Sequence, residues 1–140
     1  MRDGGEWNEL LYHIRNDKPW PPSNWSYLYF YAELVRHFGW DAIKAVFRTY
    51  EKLIAEGWFL YDDQAEEDHF YQVFSRQVKW DLIPLYDFWN NKISEDARKE
   101  IKSEGFAYFL PKDEITMLNS EKLLKIAVEY EIIAPDVYAP

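Results

Sequence analysis

The stretch Phe38-Gly39-Trp40-Asp41 limits what this chain can fold into more than any other. Upstream of it Leu28, Tyr31, Val35 and Phe38 recur at helical spacing, a stripe broadened by Trp25 and Ala32. Downstream, Ile43, Val46, Phe47, Tyr50, Leu53 and Ile54 fall on a single helical face, and Gly57 is placed to stop that helix. Gly39 can take the left-handed conformation that commonly closes a helix, and the Asp41 carboxylate can cap the free amides of the next one. The prediction is a tight hairpin of two antiparallel helices.

The rest of the chain reads as helices added to this hairpin. Trp7, Leu10, Leu11 and Ile14 mark a short first helix. Lys18-Pro19-Trp20-Pro21-Pro22 is an extended connector, because each proline pushes the residue before it out of helical geometry. Ser23 or Asn24 is placed to cap the helix that follows. After the hairpin, Trp58 to Tyr61 is expected as a buried connector, and Asp62-Asp63 as the cap of a fourth helix with Phe70, Val73, Phe74 and Val78 inward. Asp81 as the next cap puts Pro84 in a first turn, where its missing amide has no helical partner anyway; Leu82, Leu85, Tyr86 and Trp89 resume the period. Ser94 caps a sixth helix that ends before Gly105, Phe106 to Leu110 is a short extended piece, and a last helix starts at Ser120. The fold class is therefore all-α: a compact bundle of six to seven helices around a central antiparallel hairpin turning at Gly39. It is read as one domain over residues 1–140, ordered from about residue 6 to 130. The positions expected to carry the architecture are Gly39, Trp40, Asp41, Phe47, Tyr50, Phe70, Phe74 and Trp89.

Composition narrows the function classes. A net charge of -9 and a pI of about 4.8 repel phosphate backbones, and the lysines and arginines are scattered among acidic residues, so nucleic acid is a poor partner. No segment approaches the length and apolarity of a membrane span, and with no cysteine there is neither disulfide nor thiolate chemistry. The compartment is not determined by these features. Aromatic residues make up 19%, which points to a core or a contact surface of large flat side chains. Most of the seven tryptophans are expected in the core; Trp20, in the proline connector, is the candidate for an exposed binding residue.

The search for a reaction finds no motif. His-Glu-x-x-His, which sets two imidazoles one helical turn apart with a glutamate to activate water, is absent. Glu66 and His69 have the Glu-x-x-His spacing of di-iron bundles and are the metal candidates, but only one copy is present and a solvated acidic helix start is the commoner use of such residues. Glu33 and His37 are likewise one turn apart, as a surface pair commonly is. Neither a calcium loop, a nucleophile elbow nor a phosphate-cradling glycine loop is found. No catalytic residue and no cofactor is assigned to this chain.

Several short runs in fixed order carry a resemblance: Leu34-Val35-Arg36-His37-Phe38-Gly39-Trp40-Asp41-Ala42, Val46-Phe47-Arg48-Thr49-Tyr50, Phe70-Tyr71-Gln72-Val73-Phe74-Ser75, and Asp81-Leu82-Ile83-Pro84-Leu85-Tyr86-Asp87-Phe88-Trp89 followed by Ile93-Ser94-Glu95. From Trp25 to about Ala97 the chain resembles the C-terminal helical part of the enhancin-like and mucin-degrading zinc metallopeptidases. In that family the zinc ligands lie upstream of this helical part, so the resemblance transfers no catalytic residue. It implies a non-catalytic subdomain of a longer protein, one that supports a zinc-bearing catalytic domain and its substrate cleft, extracellular or at the cell surface if the parent is secreted. The partners it implies are that catalytic domain or a glycoprotein. The alternative is a stand-alone module that binds protein or glycan through exposed aromatics and an acidic surface.

Overall fold

The computed structural model describes residues 5–19, 25–58 and 62–132. Seven α-helices follow one another in these segments: α1 Gly5–Arg15, α2 Trp25–Phe38, α3 Trp40–Ala55, α4 Asp63–Val78, α5 Ile83–Phe88, α6 Glu95–Lys102 and α7 Ser120–Glu129, with a 3-10 turn, Thr116–Asn119, leading into the last. There is no strand among the described residues, so the all-α expectation holds. The expected extended piece pairs as a single parallel bridge: the Asp81 amide donates to the Ala107 carbonyl at 2.8 Å, and the Phe109 amide to the Asp81 carbonyl at 2.9 Å.

Local signals account for most helix ends. The Asp62 carboxylate accepts from the Ala65 amide at 2.7 Å and the Ser94 hydroxyl from the Ala97 amide at 3.3 Å, each satisfying one of the donors that a helix start leaves free. α3 closes at Gly57, with φ +88°, and the Trp58 amide reaches back to the Leu53 carbonyl at 3.0 Å. α7 begins at Ser120 as expected, although Asn119 supplies the capping oxygen, to the Lys122 amide at 3.1 Å.

The central turn forms with a different cap. Gly39 donates its amide to the Val35 carbonyl at 2.7 Å and has φ 86° and ψ 165°, a region essentially reserved for glycine rather than the left-handed helical one. Because that geometry makes Trp40 already helical, Gly39 itself is the N-cap residue. Asp41 lies in the first turn and makes no capping bond. Asp81 is not the formal cap of α5 either; Leu82 holds that place, with Pro84 in the first turn, while the buried Asp81 carboxylate accepts from the Ile83 amide at 3.0 Å and from the Tyr71 hydroxyl at 2.6 Å.

Packing also moves some faces. α3 lies against both α2 and α4, α4 against α6, and α5 against α7. From Leu28 to Phe38 of α2 the fully buried residues are Phe30 and Leu34, with Leu28 exposed, so the stripe is turned by part of a helical step from the one read in the sequence. In α3 only Ile43 and Val46 are fully buried; Phe47 and Ile54, expected inward, face out. Of the tryptophans whose burial is described, Trp89 is buried, Trp7 and Trp58 are half-buried, and Trp40 and Trp80 are exposed. The core centres on residues 81–91, where Tyr86 and Trp89 set their rings edge-on to Phe30 of α2 at 4.6 and 5.3 Å. Phe70 and Phe74 are buried as expected, with Tyr50 stacked on Phe70 at 6.2 Å. The expected cap at Ser23 or Asn24, the connector residues 59–61 and the irregular end from 134 lie outside the described residues.

Candidate functional site

Two turns near the C-terminus of α2 carry Glu33, Arg36 and His37 on one side of the helix. The loop from Pro111 brings Asp113 to them. Helical spacing puts Glu33 and His37 one turn apart, and Arg36 between them folds onto Glu33, its Nη2 at 2.6 Å from Oε1. Asp113 is placed by its own local turn: its Oδ1 accepts from the amides of Ile115 at 2.8 Å and Thr116 at 2.9 Å, while its amide donates to the Thr116 hydroxyl at 2.9 Å. That leaves Oδ2 for α2, where it meets His37 Nε2 at 2.8 Å and Arg36 Nη2 at 3.0 Å. Burial opposes ionisation of Asp113, but the hydrogen bonds from His37 and the Thr116 amide and the charges of His37 and Arg36 outweigh it and hold the carboxyl down to about 2.

Ligand-type atoms of Glu33, His37 and Asp113 all lie within 4.8 Å of one another, the one such three-residue group among the described residues. The positive charge between the two carboxylates is supplied by the Arg36 guanidinium, bonded to both. What the cluster does chemically is fasten the C-terminus of α2, where cationic side chains are favoured by the helix dipole, to the loop that leads into α7.

A second polar centre lies on α4. Glu67 accepts from the Tyr31 hydroxyl at 2.7 Å and faces Asn91 Nδ2 at 3.4 Å; burial pushes its pKa up against those two hydrogen bonds. Beside it the Tyr86 hydroxyl is wholly buried with no partner. Asp81, also raised by burial, completes the set of interior carboxylates.

The metal candidates from the sequence are not brought together in this way. Glu66 is exposed, while His69 turns inward to the Tyr50 hydroxyl at 3.1 Å and the Trp58 ring at 4.6 Å, and burial lowers its pKa. Among the described residues no third ligand joins that pair. Trp20 lies outside the described residues. Asp113 and Glu67 escaped the sequence reading. Asp113 carries a local signal, a threonine three residues on that closes its turn; nothing local separates the buried Glu67 from the exposed Glu66 beside it.

The histidines also bear on any zinc. His13 is bonded to the Pro19 carbonyl, His37 to Asp113 and His69 to Tyr50, on three different helices. They do not fit a site that requires two imidazoles one turn apart on one helix.

Compared with known proteins, the chain matches no curated protein and no solved structure. A family profile described as "Peptidase M60, enhancin and enhancin-like" matches residues 1–90. The match begins upstream of the Trp25 start of the resemblance and takes in α1 through α5, the Gly39 hairpin among them; it stops before Ile93-Ser94-Glu95. With well over half of its 140 residues matched, the chain belongs to the family of peptidase M60, enhancin and enhancin-like proteins.

Proposed function

We propose that this chain is a non-catalytic helical subdomain of an enhancin-like zinc metallopeptidase that cleaves glycoproteins such as mucins, corresponding to the C-terminal helical part of such a protein. The observation that carries the reading is the family match over residues 1–90 in a sequence without His-Glu-x-x-His. On this reading zinc and the residues that hold it belong to the parent's catalytic domain, and the helical bundle supports that domain and its substrate cleft. The test reads the frame upstream of Met1 in the source DNA and assays the purified chain on mucin. An in-frame His-Glu-x-x-His followed by a glutamate ligand, with an inert isolated chain, is the expected result. Mucin cleavage by the 140-residue chain that a chelator abolishes would overturn it.

A second reading, a stand-alone module that binds protein or glycan, is favoured by the exposed aromatics Trp40, Phe47 and Trp80. Exposed aromatic side chains of this kind are the raw material of interaction surfaces where they adjoin. A stop codon in frame just upstream of Met1, with saturable binding of a mucin glycopeptide that Trp40→Ala weakens, would favour this reading over the first.

A further inference from the structure

The side chains of Glu33, His37 and Asp113 are only 13%, 16% and 12% exposed, whereas Arg36, which lies over them, is 48% exposed. Three groups with metal-ligand chemistry are thus recessed beneath a long side chain that can swing into water. Arg36 Nη2 is 2.6 Å from Glu33 Oε1 and 3.0 Å from Asp113 Oδ2, and so marks a point where two carboxylates hold one positive charge between them.

The ligand atoms are oriented from behind. Asp113 Oδ1 is held by the Ile115 and Thr116 amides, which leaves Oδ2 to point at α2, and the Phe109 ring stands edge-on to His37 at 5.4 Å. Outer groups of this kind fix the ligands of metal centres. Donors at about 2.0–2.1 Å from a tetrahedral ion lie roughly 3.3 Å from one another. The three ligand atoms here are all within 4.8 Å of one another, a difference of the size that side-chain rotation covers. Charge favours the exchange too. Two carboxylates face one guanidinium, so with the imidazole neutral one negative charge is left unmatched; a divalent ion matches both. An imidazole beside two carboxylates suits zinc and its first-row neighbours, whereas magnesium and calcium take oxygen ligands.

We propose that Glu33, His37 and Asp113 form a site for a divalent first-row cation of the zinc type, which displaces Arg36 from Glu33 Oε1 and Asp113 Oδ2. His37 Nε2 then gives its lone pair to the ion and the imidazole keeps its proton on Nδ1. Three protein ligands leave a fourth position for water. The bound ion ties the end of α2, inside the family match, to the Asp113 loop beyond it. This site is distinct from the zinc assigned above to the parent's catalytic domain, so either reading can fail without the other.

Calorimetric titration of the chelator-treated 140-residue chain with zinc chloride near neutral pH tests it. One ion per chain is expected, with a Kd of about 1–100 μM, and saturating zinc should raise the melting temperature. Glu33→Gln and His37→Gln should each weaken binding at least about tenfold. Where His37→Gln lowers the thermal transition of the metal-free chain, Glu33→Gln decides alone. Arg36→Gln should tighten binding roughly three- to tenfold, because the competing guanidinium is gone. An ion-pair cluster with no affinity for metal would not respond in that way. Absence of saturation by about 1 mM zinc overturns the proposal. Binding that Glu33→Gln and His37→Gln leave intact, or that Arg36→Gln fails to tighten, overturns it equally.

Discussion

α3 and α5 relate length to burial in opposite ways. α3 has 16 residues and an amphipathic pattern plain in the sequence, yet buries only Ile43 and Val46 completely. α5 has six residues, under two turns, yet Ile83, Pro84, Leu85, Tyr86 and Phe88 are all buried and Trp89 follows them inside. A long helix with one covered face draws on its own backbone bonds and a modest apolar stripe. A helix of under two turns is marginal alone and exists because its surroundings enclose it, here α2 through Phe30, α4 through Tyr71 and α7.

The comparison can be broken by four measurements. Trp89→Ala at the end of α5 leaves a cavity among rings that cannot collapse, and should cost about 3–5 kcal/mol by chemical denaturation. A cost under 1 kcal/mol would mean that the enclosed segment is not the centre of the core. Gly39→Val tests the other side. A Cβ there meets no atom within 4 Å, so only backbone strain is at issue, and the loss should be roughly 1–3 kcal/mol. An unchanged melting temperature would show that the turn before α3 does not hold the positive φ.

The link between α2 and the Asp113 loop predicts a pH dependence with a definite sign. The folded Asp113 carboxyl titrates at about 2, below its ordinary 3.8, so the native state favours the ionised form. That contribution is complete above about pH 4 and is lost as pH falls through 2. Discounted for the part of the cluster that faces water, it is worth roughly 1–2 kcal/mol. Stability curves of the native chain and Asp113→Asn should therefore converge between pH 4 and 2; curves that stay parallel would remove Asp113 from the account. The smallest effect is expected at Trp40→Ala, which in dilute solution should change stability by no more than about 0.5 kcal/mol, against the large loss at Trp89. Two tryptophans with equal losses would erase the contrast between α3 and α5.

Much of the fold was legible because its signals are local. Asp62, Ser94 and Gly57 end or begin helices through atoms within a few residues of themselves, and the two stripes around Gly39 need only the helical period. The misread cap at Asp41 is a local error of the same kind: with Gly39 as the N-cap, the helix starts two residues sooner. The candidate site was far less legible. Glu33, Arg36 and His37 lie together on α2, but Asp113, which organises them, comes from 76 residues beyond His37. Glu66 and Glu67 are neighbours in sequence and about 100° apart around α4, and only the placement of Tyr31 and Asn91 makes the second the interior carboxylate.

The helices, their order, the caps at Asp62 and Ser94 and the hairpin at Gly39 were readable from the residues alone, because these depend on backbone sterics and on hydrogen bonds that close within one or two turns. The tertiary structure alone decided which faces are covered, why Trp89 is inside and Trp40 outside, and which charges meet across Asp113. Those outcomes depend on contacts between residues far apart in the chain, and the free energy of covering a side chain is a property of what lies over it rather than of the residue itself.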